Sequence, residues 1–330
     1  MVATNAQPGP LCLAGPWRSV LGHAREGEFG LMIPENETFE GTWPFAPHYF
    51  EGHGFRQHYI DEPSEGRETF VLLHGEPTWG YLYRKFIPKL AKLGRVVVPD
   101  HMGFGKSATP QDRDYSIRDH VDNLEALLLH LQLRDITFVG QDWGGPIGSA
   151  VALRDPDWVK RLCYMNTGVP GRPPSGTTRV QDYPWFQWVQ TEESRVVLAN
   201  LGSTILSVLK RIGFERTGHI DETWVRAYAA PFPTPADCKG ALAFPAAIGH
   251  PETAAVMAEH IANLPALAAK PAMYIHGEAD RAIPTEMAVG SFRSTWPKAP
   301  VVTLPGVGHF IQEDAPETAC ALIEQFVQMT

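Results

Sequence analysis

The 330-residue chain reads as an α/β protein: a mostly parallel, eight-stranded, doubly wound sheet with helices on both faces and a helical cap inserted near its middle. Three observations carry that reading. Short apolar runs bounded by turn residues alternate with stretches of helical period, the pattern of a parallel sheet buried on both faces. One run, Ile136–Val139, stops at Gly140 and passes through Gln141-Asp142-Trp143-Gly144 into a helix-compatible stretch. After Asn166 the alternation stops, and it resumes at Ala272.

In order, residues 1–30 carry Pro, Gly and mixed polarity without a period and are expected to form a loosely docked extension. Residues 47–60 alternate around a Gly-containing turn and predict a hairpin at the antiparallel edge of the sheet. Its histidines, His48, His53 and His58, are evenly spaced, but no Cys or carboxylate cluster completes a metal set, so half-exposed strand histidines are expected. Strands are predicted at Thr69–Leu73, Arg95–Pro99, Ile136–Val139, Val159–Met165, Ala272–Ile275 and Val301–Leu304. Helices are predicted at about 81–93, 117–131, 146–154, 284–295 and 315–328. The stretch 168–182 is rich in Gly, Pro, Ser and Thr, and 183–230 is helical and aromatic with no strand. The domain reading is therefore an extension (1–30), a main domain (31–167 and 246–330) and a helical cap (168–245) over the C-terminal edge of the sheet, where open α/β sheets bind ligands. Gly103-Phe-Gly-Lys-Ser107 lacks the first glycine of a P-loop and reads as a tight loop at that edge.

Composition excludes several classes. Hydrophobic residues make up 44% and charged residues 20% of the chain, ordinary for a globular protein. The formal net charge is −9 with no Lys/Arg run, which argues against nucleic acid or an anionic membrane as partner. The four cysteines (Cys12, Cys163, Cys238, Cys320) are scattered, so neither a disulfide framework nor a zinc site is expected, and a cytoplasmic setting fits. No apolar run approaches about 18 residues, and the first residues lack a signal-peptide pattern.

The chemistry sits at strand ends. Gly140-Gln-Asp142-Trp-Gly144 has the form of a nucleophile elbow, with Asp where Ser is usual. A carboxylate is already ionised at neutral pH and forms an ester with the carbon it attacks. Asp280 follows a later strand in a Gly-x-x-Asp loop, and of the 13 histidines only His309 lies in the loop after the last strand. Nucleophile, acid, base is the chain order of α/β-hydrolase triads. The oxyanion donors of that fold would be the N–H of Trp143 and that of Glu76.

These residues resemble a known family. His74-Gly-Glu-Pro-Thr-Trp-Gly-Tyr-Leu-Tyr-Arg-Lys85, Val139-Gly-Gln-Asp-Trp-Gly-Gly145 and Gly308-His-Phe-Ile-Gln-Glu-Asp314 are similar to haloalkane dehalogenase motifs, as are Pro99-Asp-His-Met-Gly-Phe-Gly-Lys-Ser107 and Ala227-Tyr-Ala-Ala-Pro-Phe-Pro233. The resemblance runs from about residue 45 to the C-terminus. Glu76, where another branch carries Asn, with an acid after the seventh strand, resembles the branch that uses a pair of tryptophans for halide. Asn166 stands where the other branch has its acid. The resemblance implies that Asp142 displaces halide from an sp³ carbon, that His309 activates water to hydrolyse the ester, and that Asp280 orients His309. It implies that Trp143 binds the departing halide with a second tryptophan, matched best by Trp188 and next by Trp185. It implies a haloalkane as substrate, water as co-substrate, an alcohol, halide and a proton as products, no cofactor, and a monomer or weak homo-oligomer. An epoxide hydrolase of the same fold needs cap tyrosines; Tyr183 and Tyr228 are present but in no pattern of that role. A silent ligand-binding relative would tolerate loss of a triad member, and none is missing. A Ser esterase is disfavoured because no G-x-S-x-G occurs.

Overall fold

The computed structural model describes residues 33–52, 54–171, 175–176 and 182–330. The segment read as an N-terminal extension and His53 lie outside the described residues. Eight strands form one sheet: β1 (Pro47–Gly52), β2 (Phe55–Glu62), β3 (Glu68–Leu73), β4 (Gly94–Pro99), β5 (Ile136–Asp142), β6 (Val159–Thr167), β7 (Ala272–Gly277) and β8 (Val301–Leu304). The spatial order is β1-β2-β4-β3-β5-β6-β7-β8. β1 and β2 form the antiparallel edge, and β2 runs antiparallel to β4; the pairs from β4 to β8 are parallel. The parallel strands read as continuous apolar runs because both faces are covered: Phe70–Leu73, Val96–Val98 and Val139 are fully buried.

The chain leaves β3 toward one side to make β4 and then crosses to the other side to make β5. The order therefore reverses between β3 and β5, which opens a crevice at their carboxyl ends. Glu76 follows β3 and Asp142 ends β5, so both meet at this point.

The helices between the first strands follow the sequence pattern except at 81–93. α2 (Ile117–His130) starts at a capping box in which Ser116 and Asp119 each take the other's backbone N–H. α3 (Gly144–Arg154) packs on α2 and on β5. The continuous helix expected over 81–93 is instead a 3-10 turn, Gly80–Tyr83, and one short turn, α1 (Ile87–Leu90). Pro88 explains the break: it has no N–H to give and its ring meets the carbonyl one turn back, so it is accepted only in a first turn.

Between β6 and β7 the described residues contain helices only. These are α4 (Pro184–Val189), α5 (Glu192–Leu198), α6 (Leu201–Gly213), α7 (Glu222–Ala229), α8 (Lys239–Ala247), α9 (Pro251–Ala258) and α10 (Leu264–Ala268). α9 packs on α2 and α3, and α10 on α3, whereas α5 packs on α6 and α8. α11 (Thr285–Thr295) covers β7. α12 (Ile311–Asp314) was not foreseen, and α13 (Pro316–Met329) closes the chain against α1.

The edge histidines also differ from expectation. His48 is exposed and stacks on Tyr59, but His58 is fully buried, with Nδ1 2.7 Å from Asp100 Oδ2. Asp100 in turn accepts the N–H groups of Gly80 (2.7 Å) and Lys106 (2.9 Å). The Gly103–Ser107 segment is thus a tight loop folded round Asp100, and the Lys106 ammonium is spent on the carbonyls of Glu35 (2.8 Å) and Glu37 (3.1 Å).

Glu313 on α12 ties the helical segment to the sheet. Its carboxylate accepts both guanidinium nitrogens of Arg84, with His219 Nε2 at 3.0 Å and the Tyr228 hydroxyl at 2.5 Å. Burial opposes the charge, but His219 and Arg84 outweigh it and hold this carboxyl down at about 2. A depressed carboxyl contributes stability that is complete above its unfolded value of about 4.5 and lost as pH falls toward 2. Acid denaturation of the wild type should therefore gain a component between those values. Glu313→Gln should cost about 3–5 kcal/mol in denaturant titrations at neutral pH, because it leaves the Arg84 guanidinium buried without its counter-charge, and should lose that component.

Candidate active site

Asp142 ends β5 with φ +51°, a left-handed conformation unusual for a residue other than glycine. The surrounding structure pays for this strain: Thr167 donates its hydroxyl to the Asp142 carbonyl, and a Cβ on Gly144 would lie 2.1 Å from the Leu73 carbonyl oxygen. The result is the elbow expected from Gly140-Gln-Asp-Trp-Gly144. It sets the Asp142 carboxylate above the sheet at the start of α3, where the helix dipole favours negative charge.

One carboxylate oxygen, Oδ1, accepts the Glu76 N–H at 2.8 Å. The other, Oδ2, lies 3.3 Å from His309 Nε2, within ion-pair reach but not aligned as a hydrogen bond. His309 Nδ1 is 2.8 Å from Asp280 Oδ2. Asp280 also accepts the N–H groups of Ala282 (2.7 Å) and Ile283 (3.0 Å) on its other oxygen, which turns the carboxylate toward the imidazole. His309 and Asp280 are both buried, and Asp142 keeps a partly exposed side chain. The structure therefore brings Asp142, His309 and Asp280 into one line, with Glu76 and Trp143 beside them.

The charges are coupled. Burial disfavours the His309 imidazolium, but Asp280 and Asp142 outweigh it and raise its pKa to about 10. Asp280 is pulled down despite burial, chiefly by His309. Burial, and after it the Asp142 charge, holds the Glu76 carboxyl well above the usual carboxylate range, and its Oε1 is buried with no partner. Burial and the Asp142 charge thus both favour the uncharged form of Glu76.

Three supporting features have no motif in the sequence. Asn166, at φ +40°, donates its amide to Asp280 Oδ2 (2.5 Å) and accepts the Gly277 N–H (2.7 Å). Its place in the β6 end was legible, but not this pair of hydrogen bonds to the acid's loop. His74 Nε2 accepts the His101 N–H (3.0 Å) while His101 Nε2 donates to the His74 carbonyl (2.9 Å), which fixes the β3 end just before Glu76. Phe244 on α8 stacks on the Trp143 ring at 5.3 Å and 14°.

Trp188 does not join this group as a free donor. Its indole N–H goes to Glu193 Oε1 at 3.5 Å, the Arg211 guanidinium lies over its ring at 4.3 Å, and Trp185 packs on it at 5.1 Å. Trp188, with Trp185 next, stays the tryptophan expected to supply the second halide contact; the 3.5 Å bond to Glu193 is at the long limit of a hydrogen bond.

A family model described as alpha/beta hydrolase fold matches residues 68–316. Haloalkane dehalogenase 2 of Mycobacterium tuberculosis is 33% identical over 86% of this chain and 96% of its own. A cis-3-alkyl-4-alkyloxetan-2-one decarboxylase of Shewanella oneidensis is 32% identical over 87% of this chain and 90% of its own. The crystal structure of a haloalkane dehalogenase loop variant from Bradyrhizobium elkanii superposes with a TM-score of 0.73 at 26% identity, covering 86% of this chain and 96% of that one. Fold and site thus define an α/β hydrolase with a carboxylate at the elbow. Within that class the chain belongs to the haloalkane dehalogenase family.

Two outcomes test this geometry. A Cβ on Gly75 would lie 2.1 Å from Asp142 Oδ1. Gly75→Ala should therefore displace the carboxylate and lower kcat/KM by about 10²-fold without a matching loss of folded protein by circular dichroism. Asp142→Asn removes one of the two charges that raise the His309 pKa, so the imidazole should titrate below about 10 when followed by NMR.

Proposed function

We propose that this protein hydrolyses the carbon–halogen bond of haloalkanes through an alkyl ester on Asp142. The observation that carries this is the carboxylate held between an N–H donor and an imidazole: Oδ1 on the Glu76 N–H at 2.8 Å, Oδ2 facing His309 at 3.3 Å. An oxygen held by a backbone donor is suited to become the ester carbonyl; the other is free to attack. Asp142 Oδ2 attacks the halogen-bearing carbon in line, the C–O bond forms, and halide leaves with the bonding electrons. Trp143 gives its indole N–H to the departing anion, and the raised pKa of Glu76 biases its side chain toward the uncharged form.

Ester formation removes the Asp142 charge, and with it part of what keeps His309 protonated. The imidazole loses its proton to solvent and becomes the base. It takes a proton from water, the water oxygen attacks the ester carbonyl carbon, and the oxyanion forms on Oδ1 against the N–H groups of Glu76 and Trp143. Collapse breaks the bond from the Asp142 carboxyl carbon to the alkoxy oxygen, the alkoxide takes the proton held by His309 and leaves as the alcohol, and the new carboxyl of Asp142 releases its proton to become the carboxylate again. Asp280 holds the imidazole tautomer and its charge. Positioning of the acid by Asn166 supports this assignment.

The tyrosines that an epoxide hydrolase would need are engaged: Tyr183 donates to the Asp280 carbonyl (3.2 Å) and Tyr228 to Glu313. A second reading has one observation in its favour, the Shewanella oneidensis relative named for decarboxylation of an oxetan-2-one. Decarboxylation of such a lactone releases an alkene and carbon dioxide in place of halide.

The test is to incubate the protein separately with 1-bromobutane, styrene oxide and a cis-dialkyl β-lactone, and to measure halide, diol and alkene. Halide should appear with the bromide and vanish in Asp142→Ala. Alkene or diol without halide would replace this reading. His309→Gln should alkylate but not hydrolyse, so mass spectrometry should find the butyl adduct on Asp142. A single turnover in heavy-oxygen water should label Asp142 and leave the alcohol unlabelled.

A further inference from the structure

The last carbonyls of a helix have no partner inside it. In α6 (Leu201–Gly213) two of them are taken by the loops that carry His309 and Asp280. The Ile212 carbonyl accepts the Arg281 N–H at 2.9 Å, and the Gly213 carbonyl accepts the His309 N–H at 2.7 Å and the Phe310 N–H at 3.4 Å. Arg281 also donates from its guanidinium to the Lys210 carbonyl at 2.8 Å. Just beyond the helix, the Glu215 and Arg216 N–H groups donate to Asp314 at 3.1 and 2.8 Å, and Asp314 Oδ2 takes the Gly308 N–H at 2.8 Å. The base loop is therefore gripped at Gly308, at His309 itself and, at longer distance, at Phe310.

Gly213 is required at this contact. Its φ is +141°, and a Cβ there would lie 2.9 Å from the His309 nitrogen and 3.3 Å from the His309 Cβ. Adjacent carbonyls of one helix end thus set both the height of His309 and its distance from the Asp280 loop.

We propose that the C-terminal turn of α6 positions the general base, with Gly213 as the positioning residue, so that the seating of the helical segment governs ester hydrolysis but not alkylation. The consequence for turnover rests on the dehalogenase reading. Alkylation needs only the Asp142 carboxylate and the halide donor; hydrolysis needs the imidazole in line with the ester carbon. Misplacement by about 1 Å costs about 10²-fold in rate.

The test is Gly213→Ala with a bromoalkane. The expected result is a burst of halide equal to the enzyme present, then slow turnover. kcat should fall by about 10- to 100-fold with KM falling in step, because kcat/KM reports the preserved alkylation step. The alkyl adduct on Asp142 should accumulate. Gly202→Ala is the control: its Cβ would lie 2.5 Å from the Phe232 carbonyl oxygen at the other end of the same helix, so it damages α6 without touching His309 and should give no adduct. Equal losses in kcat and kcat/KM without adduct in Gly213→Ala, or adduct in both variants, would overturn the proposal. If Gly213→Ala does not fold, Asp314→Asn weakens the grip at Gly308 and should give the same partition; wild-type partition there overturns it equally. A readout independent of turnover is the downfield proton resonance between His309 Nδ1 and Asp280. It should shift or broaden in Gly213→Ala and not in Gly202→Ala. Absence of halide from the wild type would defeat the dehalogenase reading alone, whereas an unmoved resonance would defeat the positioning.

Discussion

The structure depends on one carboxylate held in a left-handed turn. Asp142 occupies φ +51° where β5 stops and α3 starts within two residues, and Gly144 passes so close to the Leu73 carbonyl that a Cβ there would lie 2.1 Å from its oxygen. That turn lifts the side chain out of the sheet plane at the point where strand order reverses. There the β3 end supplies a backbone N–H and the β8 end supplies an imidazole. Local strain at one residue is thus exchanged for three groups meeting from three distant parts of the chain.

The electrostatics follow from that meeting. Two carboxylates flank one buried imidazole, so the resting site favours imidazolium despite burial. A third carboxyl, Glu76, is pushed well above the usual carboxylate range by burial and then by the Asp142 charge. In the proposed reaction esterification is itself the switch. It discharges one carboxylate, weakens the hold on the imidazole proton and prepares the base only after the nucleophile has been used.

The helical segment does more than roof the sheet. Glu313 gathers Arg84 from one side and His219 and Tyr228 from the other, while the end of α6 caps both the acid and the base loops. Phe244 fixes the Trp143 ring from α8. Contacts between these helices and the strand ends therefore orient side chains that the strands only deliver.

By itself the sequence determined the alternation of strands and helices, the elbow, and the topological slots of Asp280 and His309. These follow from local rules: apolar period, turn glycines and position at strand ends. The break at Pro88 was equally local, yet the apolar spacing around it concealed it. Burial of His58 against Asp100, the paired hydrogen bonds of Asn166, the His74–His101 lock and the contact of Gly213 with His309 were decided only by tertiary structure. Each joins residues far apart in the chain, and no periodicity encodes which distant donor will face which acceptor. Trp188 shows the same limit from the other side. The family resemblance pointed to it as a halide donor, whereas only packing decided that its indole N–H lies 3.5 Å from Glu193 and its ring under Arg211.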